Sequence, residues 1–199
     1  MTGSTTARRH YWRRHTDGGG TWRSETGRPP GEELAALRRG IGRDAGSVPQ
    51  MWPFYTTLAE DGRRTPALLA EHVALTLFAV HQQSRPLPVH RDGVGLGTAV
   101  LALRRSDAYS PEAVDRRFAA AATATSLAEV GVHLRGLVTQ LRGIGQSLDY
   151  TRLYQDLRDW QYPERLPLVR RRWGGQYFAS AGAPASPRQT ESAAPTTAP

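Results

Sequence analysis

The chain has 199 residues, enough for one domain or two small lobes sharing a core, and it has no cysteine, which excludes disulfides and thiolate metal sites. Its 26 basic side chains are all arginine and stand against 18 acids, a formal net charge of +8. Such an excess fits a polyanionic partner, nucleic acid or an acidic protein surface, and arginine's planar fork suits bidentate contact with phosphate oxygens.

Residues 1–28 form a basic N-terminal arm, with six arginines against two acids and Tyr11, Trp12 and Trp22 set between them. A short helix is expected over 7–15, ended by Gly18-Gly19-Gly20. Two readings stand side by side. The arm stacks on nucleic acid, or it docks loosely and Trp12 seals the core edge. Residues 1–30 hold no apolar run of the kind an export signal needs, which points to the cytoplasm.

Residues 29–105 read as an N-terminal helical lobe. Pro29-Pro30-Gly31 marks its start, and 32–40 form a helix with Leu34 and Leu37 inward and acids in the first turn. Arg38, Arg39 and Arg43 follow at its C-terminal end, where the helix dipole also favours cations. The cluster Met51-Trp52-Pro53-Phe54-Tyr55 is expected to pack on the next helix. That helix begins with Thr65 as cap and Pro66 in the first position. Behind them, Leu68, Leu69, Val73, Leu75, Leu77, Phe78 and Val80 surround the wheel, so the segment is a buried central helix. It is too short for a membrane span and is interrupted by Glu71 and His72. Residues 84–97 form a loop. Its Gly93-Val94-Gly95-Leu96-Gly97 run lacks G-x-G-x-x-G spacing, a preceding strand and a following lysine, so it is no nucleotide cradle. A helix over 98–105 buries Val100, Leu101 and Leu103.

Residues 106–179 read as a C-terminal helical lobe, joined to the first near 106–110. Ser110-Pro111-Glu112 starts a helix in which Glu112 pairs with Arg116, leaving Arg117 without an acid four residues earlier. Ser126-Leu127-Ala128-Glu129 is a capping box, and Val130, Leu134, Leu137, Val138 and Leu141 form the apolar stripe behind it. Arg135 and Arg142 share one flank of that helix, either as phosphate contacts or as an ordinary solvated edge. Asp149 caps the next helix, where Arg152 and Asp156 pair. Pro163 and Pro167 break the chain, and the final helix buries Val169, Trp173 and Tyr177. Arg170-Arg171-Arg172, with only Glu164 nearby, is the sharpest basic cluster. Residues 180–199, rich in Ala, Pro, Ser and Thr, read as a disordered tail.

The expected fold is therefore an all-α bundle of about eight helices in two small lobes. No histidine sits in H-E-x-x-H or at metal-ligand spacing from an acid; no G-x-S-x-G, Walker loop or two-metal acidic cluster is present. The reading is a protein without catalytic residues, metal or cofactor.

Several stretches resemble one known family in order and spacing. Leu37-Arg38-Arg39-Gly40, Gly46 to Pro49 and Trp52 to Tyr55 look like the N-terminal half of the small subunit of type I-E CRISPR Cascade, the CasB family. Gly93-Val94-Gly95-Leu96-Gly97-Thr98-Ala99-Val100 is similar to its glycine-containing stretch before a helix. Arg116-Arg117-Phe118, Leu134-Arg135-Gly136-Leu137, Leu148-Asp149-Tyr150 and Val169-Arg170-Arg171-Arg172-Trp173 resemble its C-terminal half. The likeness spans about residues 32–178, with Gly136 standing where some relatives carry a second arginine.

The resemblance implies an all-α, non-catalytic subunit present in two copies along an RNA-guided surveillance complex, beside the backbone subunits. There it would help hold the guide RNA–target DNA hybrid and the displaced strand. It carries over Arg39, Arg117, Arg135, Arg171 and Arg172 as phosphate contacts; Arg38, Arg64 and Arg142 join them on charge and wheel position alone. Two other classes stay open: a scaffold whose basic face meets acidic protein surfaces, and a free-standing helical DNA-binding regulator. The regulator would need base-reading side chains, and 127–142 offers few beyond His133 and Gln140.

Overall fold

Helix α3 (Pro66–Gln82) is the element around which the chain closes, and its start follows from its sequence: the Thr65 hydroxyl accepts the Leu68 amide at 3.1 Å, with Pro66 in the first turn. In the computed structural model, which describes residues 9–178, α3 is buried over most of its surface, with Leu69, Val73 and Val80 half-buried. The other helices are α1 (Tyr11–His15), α2 (Gly31–Arg38), α4 (Leu96–Arg104), α5 (Pro111–Thr123), α6 (Leu127–Ile144), α7 (Tyr150–Asp159) and α8 (Leu166–Phe178), with a 3-10 turn over Pro49–Phe54. Helices α2, α6 and α7 pack on α3, α8 packs on α4, and α5 lies against α6. Among the described residues there is no strand, only two isolated bridges, so the fold is all-α. No helix there is long and apolar enough to cross a membrane. One hydrophobic cluster joins Leu34 and Phe78 to Leu134, Leu157 and Trp173, and so crosses the 105/106 division.

Helix α6 follows its capping box with one difference. The Ser126 hydroxyl accepts the Glu129 amide, but the Glu129 carboxylate reaches back to Thr125, at 2.8 Å from its amide. Gly145, in the left-handed region at φ +72°, ends the helix as the Gln146 amide returns to Leu141 at 3.0 Å.

Helix α1 occupies Tyr11–His15, shorter than the 7–15 expected, and residues 1–8 lie outside those described, as does the tail over 180–199. Tyr11 and Trp12 are buried: the Tyr11 hydroxyl donates to Glu33 at 2.6 Å and the Trp12 indole N–H to Thr151 at 3.0 Å. Neither ring is free to stack on a nucleic acid. Trp52, expected in the aromatic packing, is instead half exposed, its indole N–H donating to the Gly46 carbonyl at 2.7 Å. Met51, Phe54 and Tyr55 do the packing.

Helix α4 begins at Leu96, two residues before the expected start, and takes Gly97 into its first turn. The reason is tertiary. A Cβ at Gly97 would lie 2.2 Å from the Trp173 carbonyl oxygen, so glycine is what lets α4 and α8 touch backbone to backbone.

Candidate nucleic-acid interface

Between α3, α6 and the loop that follows α2 lies a cavity of about 400 Å³. Helix α3 supplies Leu69, Val73 and Val80 to its walls, and α6 supplies Leu127 and Val132. The loop is pinned in place by buried His72. Its Nε2 donates to the Gly40 carbonyl at 2.9 Å, which fixes the tautomer so that Nδ1 accepts from the Tyr55 hydroxyl at 2.6 Å. Burial depresses the His72 pKa, keeping the ring neutral in this role. Gly40 is required there, because a Cβ would meet the Met51 sulfur at 2.2 Å.

Three arginines from three elements stand around the opening: Arg43 on the loop, Arg64 just before α3 and Arg135 on α6. All three are exposed. Arg64 lies 3.7 Å from exposed Asp44, a pair that solvent screens heavily. Among the described residues no ion pair engages Arg43 or Arg135, so the mouth carries uncompensated positive charge. Two of the eight sequence-selected arginines, Arg64 and Arg135, are thus brought together, and Arg43 joins them.

The remaining six divide. Arg38 ends α2 half-buried, Arg39 is its exposed C-cap, and Arg117 on α5 and Arg171 on α8 are exposed. Arg142 points away from the solvated flank its wheel position suggested and donates to the Val80 carbonyl and the Gln83 side chain, both at 3.2 Å, closing the C-terminal end of α3. Arg172 donates to buried Asp156, which also accepts the Trp173 indole N–H at 2.7 Å. Burial raises the Asp156 pKa, against the pull of Trp173 and Arg172. Arg170 donates to the Ala124 carbonyl at 2.9 Å and lies over the Trp160 ring. The sharpest basic cluster in the sequence is therefore three side chains in three settings, of which Arg171 faces solvent.

Asp149, remote in sequence, also converges with His90 and Asp92, a grouping that motif spacing gave no sign of. They do not suit a cation. His90 Nδ1 accepts the Tyr150 amide at 3.1 Å, which leaves the proton on Nε2, 3.3 Å from Asp92. Asp92 is taken by Arg13 at 2.7 Å, and Asp149 caps α7 while accepting the Gly93 amide at 2.9 Å. The trio fastens the arm to the start of α7.

The sequence profile of the CRISPR-associated protein Cse2 family matches residues 33–178. The chain belongs to this family. The described structure is similar to the crystal structure of CasB from Thermobifida fusca, with 30% identity, 74% of this chain and 84% of that chain covered, and a TM-score of 0.61. It is also similar to a chain of a solved CRISPR RNA-guided surveillance complex, at 26% identity over 76% of this chain and 84% of that one, with a TM-score of 0.57. None of the curated proteins matches the sequence. The Cse2 match takes in every wall of the cavity and all eight sequence-selected arginines.

Proposed function

We propose that this Cse2-family chain is a non-catalytic small subunit of a cytoplasmic RNA-guided surveillance complex. It steadies the guide RNA–target DNA hybrid and the displaced strand through sequence-independent arginine–phosphate contacts. Its partners are the guide RNA, the target DNA, the backbone subunits and a second copy of itself. The observation that carries this reading is the convergence of Arg43, Arg64 and Arg135 on one mouth, with little acidic compensation. The likeness to a chain of a surveillance complex supports it. Arg38, Arg39, Arg117 and Arg171 extend the phosphate-binding set, while Arg142 and Arg172 hold α3 and α7 in place for it. In such assemblies base pairing reads sequence, and strand exchange is nearly balanced, so a few backbone contacts decide whether the open state persists.

Fluorescence anisotropy of single-stranded DNA, duplex DNA and RNA of unrelated sequences, across a salt series, tests the reading. Wild type is expected to bind all of them with steep salt dependence. An Arg43, Arg64 and Arg135 to Ala variant is expected to show a slope shallower by about three. Unchanged binding in the variant would move the arginines to an acidic protein surface.

A further inference from the structure

The cavity behind the arginine mouth has no part in a contact to phosphate alone. Its walls are aliphatic, and the polar side chains behind the rim are already spent: the Thr76 hydroxyl donates to the Val73 carbonyl at 2.9 Å, and His72 is held by Gly40 and Tyr55. A group that enters meets apolar surface and no unpaired side-chain donor. At the opening, Arg43, Arg64 and Arg135 outnumber the one acid there, Asp44, and so favour an anion. A flat body with apolar faces and negative charge on both flanks is one nucleotide of a single strand, its base inside and its phosphates at the rim.

Size and chemistry narrow the occupant further. At about 400 Å³ the cavity sits at the lower end of the roughly 300–1,000 Å³ typical of ligand sites, room for one ring system but not for a helix or a duplex. Unstacking is cheapest for a base that is already single-stranded. The wall side chains behind the rim leave no donor free to read a base edge, so the methyl group of thymine gains most, and they offer no donor to a 2′-hydroxyl.

We propose that this cavity takes one unstacked base, thymine by preference, of single-stranded DNA, whose flanking phosphates lie on Arg43, Arg64 and Arg135. The proposal rests on the phosphate-contact reading above.

Ala128 and Val132 line the opening from exposed positions on α6, so Ala128→Trp and Val132→Trp each obstruct it without changing charge. The probes are oligo-dT, a strand of equal length that lacks all bases, and oligo-U, each followed by anisotropy across a salt series. Wild type is expected to bind oligo-dT about tenfold more tightly than the abasic strand, and oligo-U more weakly than oligo-dT. Both tryptophan variants are expected to lose that preference, to bind the abasic strand as wild type does, and to keep the salt slope. A wild type that does not separate oligo-dT from the abasic strand, or variants that keep the preference or weaken on both strands alike, would overturn the base pocket while a persisting salt slope leaves the phosphate reading intact. Oligo-U bound as tightly as oligo-dT would overturn the assignment to DNA. No salt-dependent binding of any strand would overturn both readings and turn the cavity toward an apolar anchor on a neighbouring protein.

Discussion

His10 and Glu71 stand 2.9 Å apart, ring nitrogen to carboxylate oxygen, across 61 residues of sequence. Glu71 is wholly buried in α3, and the amides and hydroxyls of Thr56 and Thr57 also point at it, the amides at 2.9 to 3.0 Å. Burial alone would raise its pKa; the hydrogen bonds from His10, Thr56 and Thr57 outweigh that and hold it below the usual value. One carboxylate thus ties the arm and the segment after the 3-10 turn to the central helix. Glu71→Ala should cost about 3 kcal/mol and lower the Tm by roughly 10 °C. Because the folded pKa is the lower one, this stabilisation is complete above the ordinary carboxylate range and fades as pH falls through it. Thermal melts below pH 5 should therefore decline less steeply for Glu71→Gln than for wild type; parallel curves would remove Glu71 as the source.

A second pH effect occupies a higher window. Burial depresses the His81 pKa to about 3, and its ring meets the Tyr150 hydroxyl at 3.0 Å while Nε2 finds no hydrogen-bond partner. An unfolded histidine protonates near pH 6.5, so the unfolded state gains protons first as pH falls below that value. Stability should drop by about 2 kcal/mol between pH 6.5 and 5 from this residue alone. His15, His72 and His90, also depressed by burial, add in the same direction. His81→Gln should flatten the fall in Tm between pH 7 and 5. An unchanged fall would assign it to the other three rings.

Much of this architecture is written locally. The Thr65-Pro66 start and all-round apolar wheel of α3, and the capping box and stripe of α6, depend on neighbours within a few residues, so they read directly from the chain. What fails to read is whatever depends on a second element. Glu71 looks like an interruption of an apolar run until Thr56, Thr57 and His10 arrive from elsewhere. Arg142 has a legible wheel angle, but nothing near it in sequence says that the end of α3 lies there. Arg172 has one acid close by in sequence and bonds to a different one, sixteen residues back on another helix. The cavity is concave because three elements meet, and no periodicity encodes that. Arg64 stands out in the sequence by its charge and Arg135 by its motif; their meeting is a tertiary fact.

Adjacent arginines on α8 should therefore behave oppositely. Arg172→Ala strands buried Asp156 with fewer donors and should cost about 2 to 3 kcal/mol, read as a lower Tm. Arg171→Ala, at an exposed position, should leave the Tm within about a degree or two and instead make the salt dependence of nucleic-acid binding shallower by about one. If Arg171→Ala changes neither quantity, α8 contributes packing and no phosphate contact.

Two glycines make the same contrast on the backbone. Gly97 has the Trp173 carbonyl where its Cβ would go, so Gly97→Ala must push α4 and α8 apart and should cost about 3 kcal/mol. Gly136, exposed inside α6, has nothing within 4 Å of that position, so Gly136→Ala should gain about 0.5 to 1 kcal/mol from helix propensity. Gly136→Arg tests more, because it recovers most of that propensity gain and also sets a second guanidinium beside Arg135. If this face of α6 meets phosphate, the variant should melt a few degrees higher and bind with a salt dependence steeper by about one. A higher Tm with an unchanged slope would mean that the added charge faces away from the strand. The phosphate path would then lie on the Arg43 and Arg64 side of the cavity, where α6 serves as its wall.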